Sequence, residues 1–65
     1  MTGTYKTNYG SSYEVFNGEI MQGKRKVSHL MARCVYPEEK KGEAFPVQAK
    51  DIDRNVRFGT WELMK

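Results

Sequence analysis

The sequence predicts an all-β domain, folded as a small curled antiparallel sheet or a five-stranded barrel. Short runs of β-branched and aromatic residues alternate with Gly, Pro and Asn turn signals along the whole 65-residue chain. In Glu43–Lys50 the apolar residues fall at every second position, which is the period of a half-buried strand. Four or five short strands are too few for a two-sheet sandwich. We therefore expect one sheet that curls around a single core.

The segment from Lys24 to Tyr36 has two interpretations. As a strand it has one apolar and one mixed face, which is typical of a sheet with one side in solvent. As a helix over 27–36 it has apolar residues at helical spacing, which would give an α+β fold with that helix packed on a sheet. A charged loop at 37–42 and the alternating segment after it favour the strand, because the three together form an ordinary β-hairpin.

The N-terminal segment has little apolar periodicity and is rich in Thr, Ser, Gly, Asn and Tyr. We therefore predict a flexible arm at 1–12, followed by a single small β domain at 13–65. Three tyrosines that recur every fourth residue are the candidates for contacting a partner: Tyr5, Tyr9 and Tyr13. After the arm, Asn17-Gly18 predicts a hairpin turn within Ser12–Gln22, because type I′ turns favour this dipeptide.

The C-terminal half contains the signals for the other strands. Pro46 lacks a backbone donor, so its strand is predicted to lie at an edge or a bulge. Residues 51–55 read as a tight turn or one helical turn, and Val56–Met64 as the last strand, with Phe58 directed into the core. The order of strand, charged loop, strand, short helical turn and strand resembles that of SH3-like barrels, and the resemblance implies a five-stranded barrel.

The basic residues provide the functional signal. The net charge is +3 and the sequence pI is about 9.2, which suits a polyanionic partner but also suits a soluble domain without one. Small β-barrels often bind nucleic acid by combining phosphate-facing cations with stacked aromatic rings. We therefore predict a small non-enzymatic protein that binds nucleic acid, DNA or RNA, through one basic face. The candidate residues are Lys24, Arg25, Lys26, Arg33, Arg54, Arg57 and Trp61.

The alternative hypothesis is a regulator or inhibitor that binds a larger protein. An edge strand around Pro46 could add to another sheet, and a homodimer could form through the same edge. A dimer would also enlarge the core of a very short chain. Cys34 and His29 are the only Cys and His residues, so an internal disulfide and a four-ligand zinc site are both excluded.

Neither catalysis nor a cofactor is predicted. His29 and Cys34 are separated by an odd number of residues, so on a strand they face opposite sides and cannot form a dyad. Asp51 and Asp53 lack the Gly and Glu of a calcium loop, so no metal site is expected. No apolar run approaches a membrane span, and the N-terminal residues lack the apolar region of a signal peptide. A lone thiol suits a reducing compartment, so we expect a cytoplasmic protein.

Overall fold

The computed structural model describes residues 2–64. Within this range a 3₁₀ turn at Glu38–Lys40 separates the third and fourth strands. The other elements, in chain order, are β1 (Gly3–Thr7), β2 (Ser12–Gln22), β3 (Arg25–Tyr36), β4 (Phe45–Pro46), α1 (Ala49–Arg57) and β5 (Trp61–Leu63).

The strands form one five-stranded antiparallel sheet in the order β4-β3-β2-β1-β5. The sheet is open, because β4 and β5 lie at opposite edges and do not pair with each other. The prediction of a curled antiparallel sheet is therefore confirmed, whereas the closed SH3-like barrel does not form. The helix considered for 27–36 is wrong, because β3 runs unbroken through that segment. Pro46 lies on an edge strand, as its missing donor predicts.

The hairpin turn lies six residues later than the sequence predicted. Asn17 and Gly18 are inside β2, where they pair with Leu30 and His29 across the ladder. A Cβ added to Gly18 would come within 2.6 Å of Met31 Cγ, so here the glycine makes room for a side chain on the opposite strand. The tertiary contact overrides the local turn preference of Asn-Gly, and β2 continues to Gln22.

The segment expected to be a flexible arm contains an interior strand. β1 pairs with β2 on one side and with β5 on the other, and Tyr5 lies in the core with 5% of its surface exposed. Thr7 is also buried, and its hydroxyl donates a 2.8 Å hydrogen bond to the Ser11 carbonyl across the β1–β2 loop. The arm prediction is corrected here, because polar, turn-rich composition conceals a strand whose alternate residues are buried.

The predicted turn at 51–55 is part of a longer helix. α1 extends to Arg57, and Gly59 follows with φ 77°, a left-handed conformation that ends helices and favours glycine. The last strand is therefore shorter than the predicted Val56–Met64. Phe58, which the sequence placed in the core, follows the helix and is 77% exposed.

The core lies between α1 and one face of the sheet, which we call the helix face. Ile52 is the buried residue of the helix, and only 2% of it is exposed. It packs with residues of four strands whose side chains share the helix face through alternation and register. These core residues are Tyr5, Val15, Ala32 and Trp61, with Tyr13, Leu30 and Val47 packed against them.

Candidate nucleic-acid interface

The β2–β3 hairpin extends beyond the rest of the sheet. β1 pairs with β2 only as far as Val15, and β4 pairs with β3 only at Met31 and Ala32. Residues 18–29 therefore form a two-stranded segment with neither outer edge paired to another described strand, and we call it the ribbon. Its pairs run from Gly18–His29 to Gln22–Arg25. At the usual rise per residue the ribbon is roughly 15 Å long.

The tip of the ribbon is a two-residue turn at Gly23 and Lys24, closed by the pair Gln22–Arg25. Gly23 has φ 66°, and no non-glycine residue in the described chain has positive φ. A type II′ turn requires positive φ at its first central position only, and Gly23 occupies that position. The turn sets the register, so Arg25 and Lys26 begin the return strand beside the tip.

Three cations are concentrated at this tip, and all three are exposed: Lys24, Arg25 and Lys26. None of them forms an ion pair within residues 2–64. The ribbon contains one carboxylate, Glu19, so its net charge is +2 out of +3 for the whole chain. The sequence cluster is therefore displayed on a projecting element, where its charges remain available to an anionic partner.

Arg33 does not join this cluster. Its Nη2 donates a 2.7 Å hydrogen bond to Glu14 Oε1, and its guanidinium lies 5.8 Å from the centre of the Phe16 ring. It shares a face with Arg25 but lies eight residues further along β3, roughly 27 Å away. Its charge is already balanced by a neighbouring carboxylate at the base of the hairpin, so less of that charge is available to an anionic partner.

Arg54 and Arg57 belong to α1, which is separated from the ribbon tip along the chain by β3, the 3₁₀ turn and β4. Arg57 Nε lies 3.2 Å from Asp53 Oδ2, one helical turn away, and both side chains are largely exposed. The positions near the helix C-terminus suit arginine, because the helix dipole is negative there. The structure does not bring these two residues together with the cluster at the tip.

Trp61 is not available for stacking on a base. The ring is stacked on Tyr13 with centroids 5.2 Å apart and 7° between planes, and it also contacts the Tyr5 ring at 5.7 Å. Only 9% of the residue is exposed. The prediction that Trp61 contacts nucleic acid is corrected, because its aromatic surface is already used to close the core.

The three tyrosines proposed as partner contacts also separate. Tyr5 is buried in the core, and Tyr13 is half-buried between Trp61 and Phe45, whose ring it meets edge-on at 6.3 Å. Tyr9, in the loop between β1 and β2, is 59% exposed. Strand pairing therefore leaves Tyr9 as the member of this set with a largely solvent-exposed ring.

Replacing Tyr13 with Phe is expected to make stability less sensitive to alkaline pH. Burial raises the pKa of the Tyr13 phenol above its ordinary value of 10.0, and the charges of ionised Tyr9 and Cys34 raise it further. The stabilising contribution of the neutral phenol is therefore complete below pH 10.0 and is lost as the pH rises through the raised folded-state pKa.

Urea unfolding midpoints measured across this alkaline range test the expectation. The Tyr13→Phe midpoint should fall less steeply with pH than that of the unchanged protein. Tyr36→Phe is the matched control, because Tyr36 is 62% exposed. Parallel curves for all three proteins would show that ionisation of Tyr13 is not coupled to unfolding.

His29 and Cys34 do not converge, as strand alternation predicts. His29 lies opposite Gly18 and Cys34 opposite Tyr13, which places them on different faces of the sheet. His29 Nδ1 is 2.8 Å from the Leu30 carbonyl oxygen, and the Cys34 thiol donates a 3.4 Å hydrogen bond to the Tyr36 carbonyl. In residues 2–64, no group of three His, Cys, Asp or Glu side chains is arranged to hold a metal ion.

Gln22 is a tip residue that the sequence did not single out. The sequence placed it at the end of the returning strand of a hairpin that turns at Asn17-Gly18, whereas it pairs with Arg25 beside the turn and is exposed. The signal that could have found it is Gly23-Lys24, because Gly at the first position of a two-residue loop indicates a type II′ turn. The stronger preference of Asn17-Gly18 obscured this signal.

Comparison with known proteins does not assign the chain to a group. No family model, curated protein or solved structure matches it. Across the described residues, the helix present is too short and too polar to cross a bilayer. The evidence for function therefore comes from the geometry and charge of the ribbon.

Proposed function

We propose that this protein binds nucleic acid through the tip of the β2–β3 ribbon. The observation that carries the proposal is the projection of three unpaired cations, Lys24, Arg25 and Lys26, on a ribbon with net charge +2. Phosphate contacts provide most of the affinity of such interfaces, because bound cations release counterions from the polyanion. A projecting ribbon can bring its cations to the phosphates without a clash from the rest of the domain.

The contribution of the other basic residues is expected to be smaller. Arg33 and Arg57 are engaged with Glu14 and Asp53, so nearby carboxylates weaken their attraction for phosphate. Lys40, Lys41 and Lys50 are exposed but lie in a loop and a helix outside the ribbon. The proposal therefore attributes the affinity for nucleic acid to the position of the three cations on the ribbon as well as to the net charge of the protein.

The test compares two variants of equal charge. In one, Lys24, Arg25 and Lys26 are all replaced by Gln; in the other, Lys40, Lys41 and Lys50 are replaced by Gln. Each change removes three cations and brings the formal net charge from +3 to zero. Binding to labelled DNA and RNA is measured by fluorescence anisotropy over a series of salt concentrations.

The ribbon variant is expected to lose most of its affinity at low salt. Its plot of log K against log salt should also become shallower by roughly 2–3, since each phosphate contact contributes about 0.9 to the slope on B-form DNA. The control variant should retain most of the slope. Equal losses in both variants would assign binding to net charge alone, and absence of binding by the unchanged protein would overturn the proposal.

A second candidate function is protein binding through the outer edge of β5. This strand pairs with β1 on one side and lies at the edge of the sheet on the other. Leu63 and Met64 are 45% and 50% exposed there, beside a shallow depression shared with Lys6 and Glu62. An exposed edge strand can pair with a strand of a partner or of a second copy.

Sedimentation of the unchanged protein and of Leu63→Lys tests the case of a second copy. A dimer that Leu63→Lys dissociates would support pairing at this edge. A monomer at all concentrations would exclude self-association there. Either result is independent of the anisotropy measurements, because the β5 edge and the ribbon are separate parts of the sheet.

A further inference from the structure

The width of the ribbon limits the kind of nucleic acid that it can enter. Paired strands lie about 4.7–4.9 Å apart, and a two-stranded ribbon with its side chains fits the major groove of B-form DNA, which is about 12 Å wide. The major groove of A-form RNA is deep and narrow, so side chains cannot read it. Because both outer edges of the ribbon are unpaired, no third strand blocks entry into a groove.

The ribbon also lacks the large aromatic rings on which single strands stack, and its one imidazole, His29, lies at the end farthest from the tip. Residues 18–29 contain no Phe, Tyr or Trp, whereas proteins that bind single strands stack successive bases on aromatic side chains. The exposed rings of Tyr9, Tyr36, Phe45 and Phe58 lie outside the ribbon. Tyr36 is at the other end of β3, roughly 35 Å from the tip along the strand. These positions favour a duplex over a single strand.

The two faces of the tip carry different chemistry. Gln22 and Arg25 lie directly opposite each other, so both side chains project from one face. Met21 and Lys26 form the next pair and project from the other face. Arg can donate two hydrogen bonds to O6 and N7 of guanine, and Gln can form two with N6 and N7 of adenine. The face that carries Gln22 and Arg25 is therefore suited to reading base edges.

The positions of the remaining ribbon side chains are consistent with the face of Gln22 and Arg25 being directed toward the bases. Glu19, the carboxylate of the ribbon, pairs with Ser28 on the face of Lys26, so it points away from bases read by Arg25. Ile20 and Val27 form the pair after Met21–Lys26, so they share the base-reading face with Gln22 and Arg25. Apolar groups on this face can contact a thymine methyl. Lys24 in the turn and Lys26 on the opposite face remain available for the backbone phosphates.

We infer that the ribbon binds in the major groove of B-form duplex DNA and reads base edges with Gln22 and Arg25, while Lys24 and Lys26 contact phosphates. The inference rests on the proposed function and adds to it the form of the nucleic acid, the groove and the base-contacting residues. It predicts a sequence preference at the positions that Gln22 and Arg25 contact, in addition to the salt-dependent affinity of the cations.

The first measurement compares three probes of equal length: duplex DNA, duplex RNA and single-stranded DNA, each as a randomised pool. The unchanged protein should bind duplex DNA roughly tenfold or more tightly than either of the others, because the other two lack an accessible groove of matching width. Equal or tighter binding of duplex RNA or of the single strand would overturn the inference while leaving nucleic-acid binding intact. Absence of binding to all three would instead overturn the proposed function.

The second measurement examines base reading at Arg25. Duplexes enriched from the DNA pool are prepared with guanine or with 7-deazaguanine, which lacks the N7 acceptor but retains the phosphate charges. The unchanged protein should lose roughly tenfold affinity on 7-deazaguanine, within the range expected for one bidentate contact. Arg25→Lys keeps the charge but lacks the planar fork, so it should lose less on the same substitution.

Lys26→Arg and Gln22→Ala complete the design. Lys26→Arg is the matched control and should show the same 7-deazaguanine loss as the unchanged protein, since Lys26 is assigned to phosphate. Gln22→Ala should relax the preference for adenine at one position of the enriched site and leave the salt dependence unchanged, because Gln22 carries no charge. An equal 7-deazaguanine loss in Arg25→Lys and the unchanged protein would overturn the assignment of Arg25 to a base.

Discussion

Deletion of residues 1–7 is expected to abolish cooperative folding. The deletion removes β1, an interior strand that pairs with both β2 and β5. It also removes Tyr5 and Thr7, which are buried, and leaves β5 without a neighbouring strand. Trp61 is held on β5, so the deletion would also release the largest ring of the core. Far-UV circular dichroism and thermal melting should show loss of strand signal and of a sigmoidal transition.

A chain shortened only by residues 1 and 2 is the matched control, because it retains β1 completely. It should melt within a few degrees of the full chain, as expected when few buried contacts are lost. If the chain lacking residues 1–7 melted like this control, the N-terminal segment would be a dispensable arm and its place within the sheet would be wrong.

Trp61→Ala is expected to destabilise the domain by about 3–5 kcal/mol. The indole stacks on Tyr13 and contacts Tyr5, so truncation removes buried apolar surface and leaves a cavity between the sheet and α1. A domain of 65 residues has a total stability of roughly 3–10 kcal/mol. The variant should therefore be largely unfolded if the stability lies near the lower end of that range. Urea unfolding followed by circular dichroism measures the change.

Two further substitutions separate ring loss from general damage. Trp61→Phe keeps an aromatic ring in the core and should cost less than Trp61→Ala. Phe58→Ala truncates a residue that is 77% exposed and should change stability by no more than about 0.5 kcal/mol. A Trp61→Ala midpoint equal to that of Phe58→Ala would contradict the buried position of the indole. In that case Trp61 would again be a candidate for stacking on a base.

Two local sequence signals gave wrong predictions of secondary structure. Asn17-Gly18 has a strong turn preference, but β2 continues through it because Met31 packs over Gly18 and the ladder pairs on both sides of it. Polar residues between the tyrosines of the N-terminal segment hid β1, whose buried positions are occupied by Tyr5 and Thr7. Both errors arose because burial depends on neighbouring strands, which are distant in sequence.

The candidate site was predicted in part. The adjacent cations Lys24, Arg25 and Lys26 were recognised from sequence, since residues next to each other in the chain must also be close in space. Arg33 and Trp61 were placed with them, but Arg33 is paired with Glu14 and Trp61 is buried beneath α1. The carboxylate neighbour of Arg33 and the burial of Trp61 both depend on contacts across strands that no local pattern encodes.

The sequence by itself determined the all-β class and the basic cluster, favoured a strand where β3 (Arg25–Tyr36) lies, and limited Pro46 to an edge strand or a bulge. These predictions rest on local properties: period-two alternation, the missing proline donor and adjacent charges. Each of them can be recognised within a single segment of the sequence. Tertiary structure alone decided that β1 lies inside the sheet and that the sheet remains open. It also decided that β2 and β3 extend beyond the strands beside them and so form the ribbon. The strand order brings Tyr5, Val15, Ala32 and Trp61 onto the face that Ile52 of α1 covers, and burial between such distant segments provides the free energy that local preferences lack.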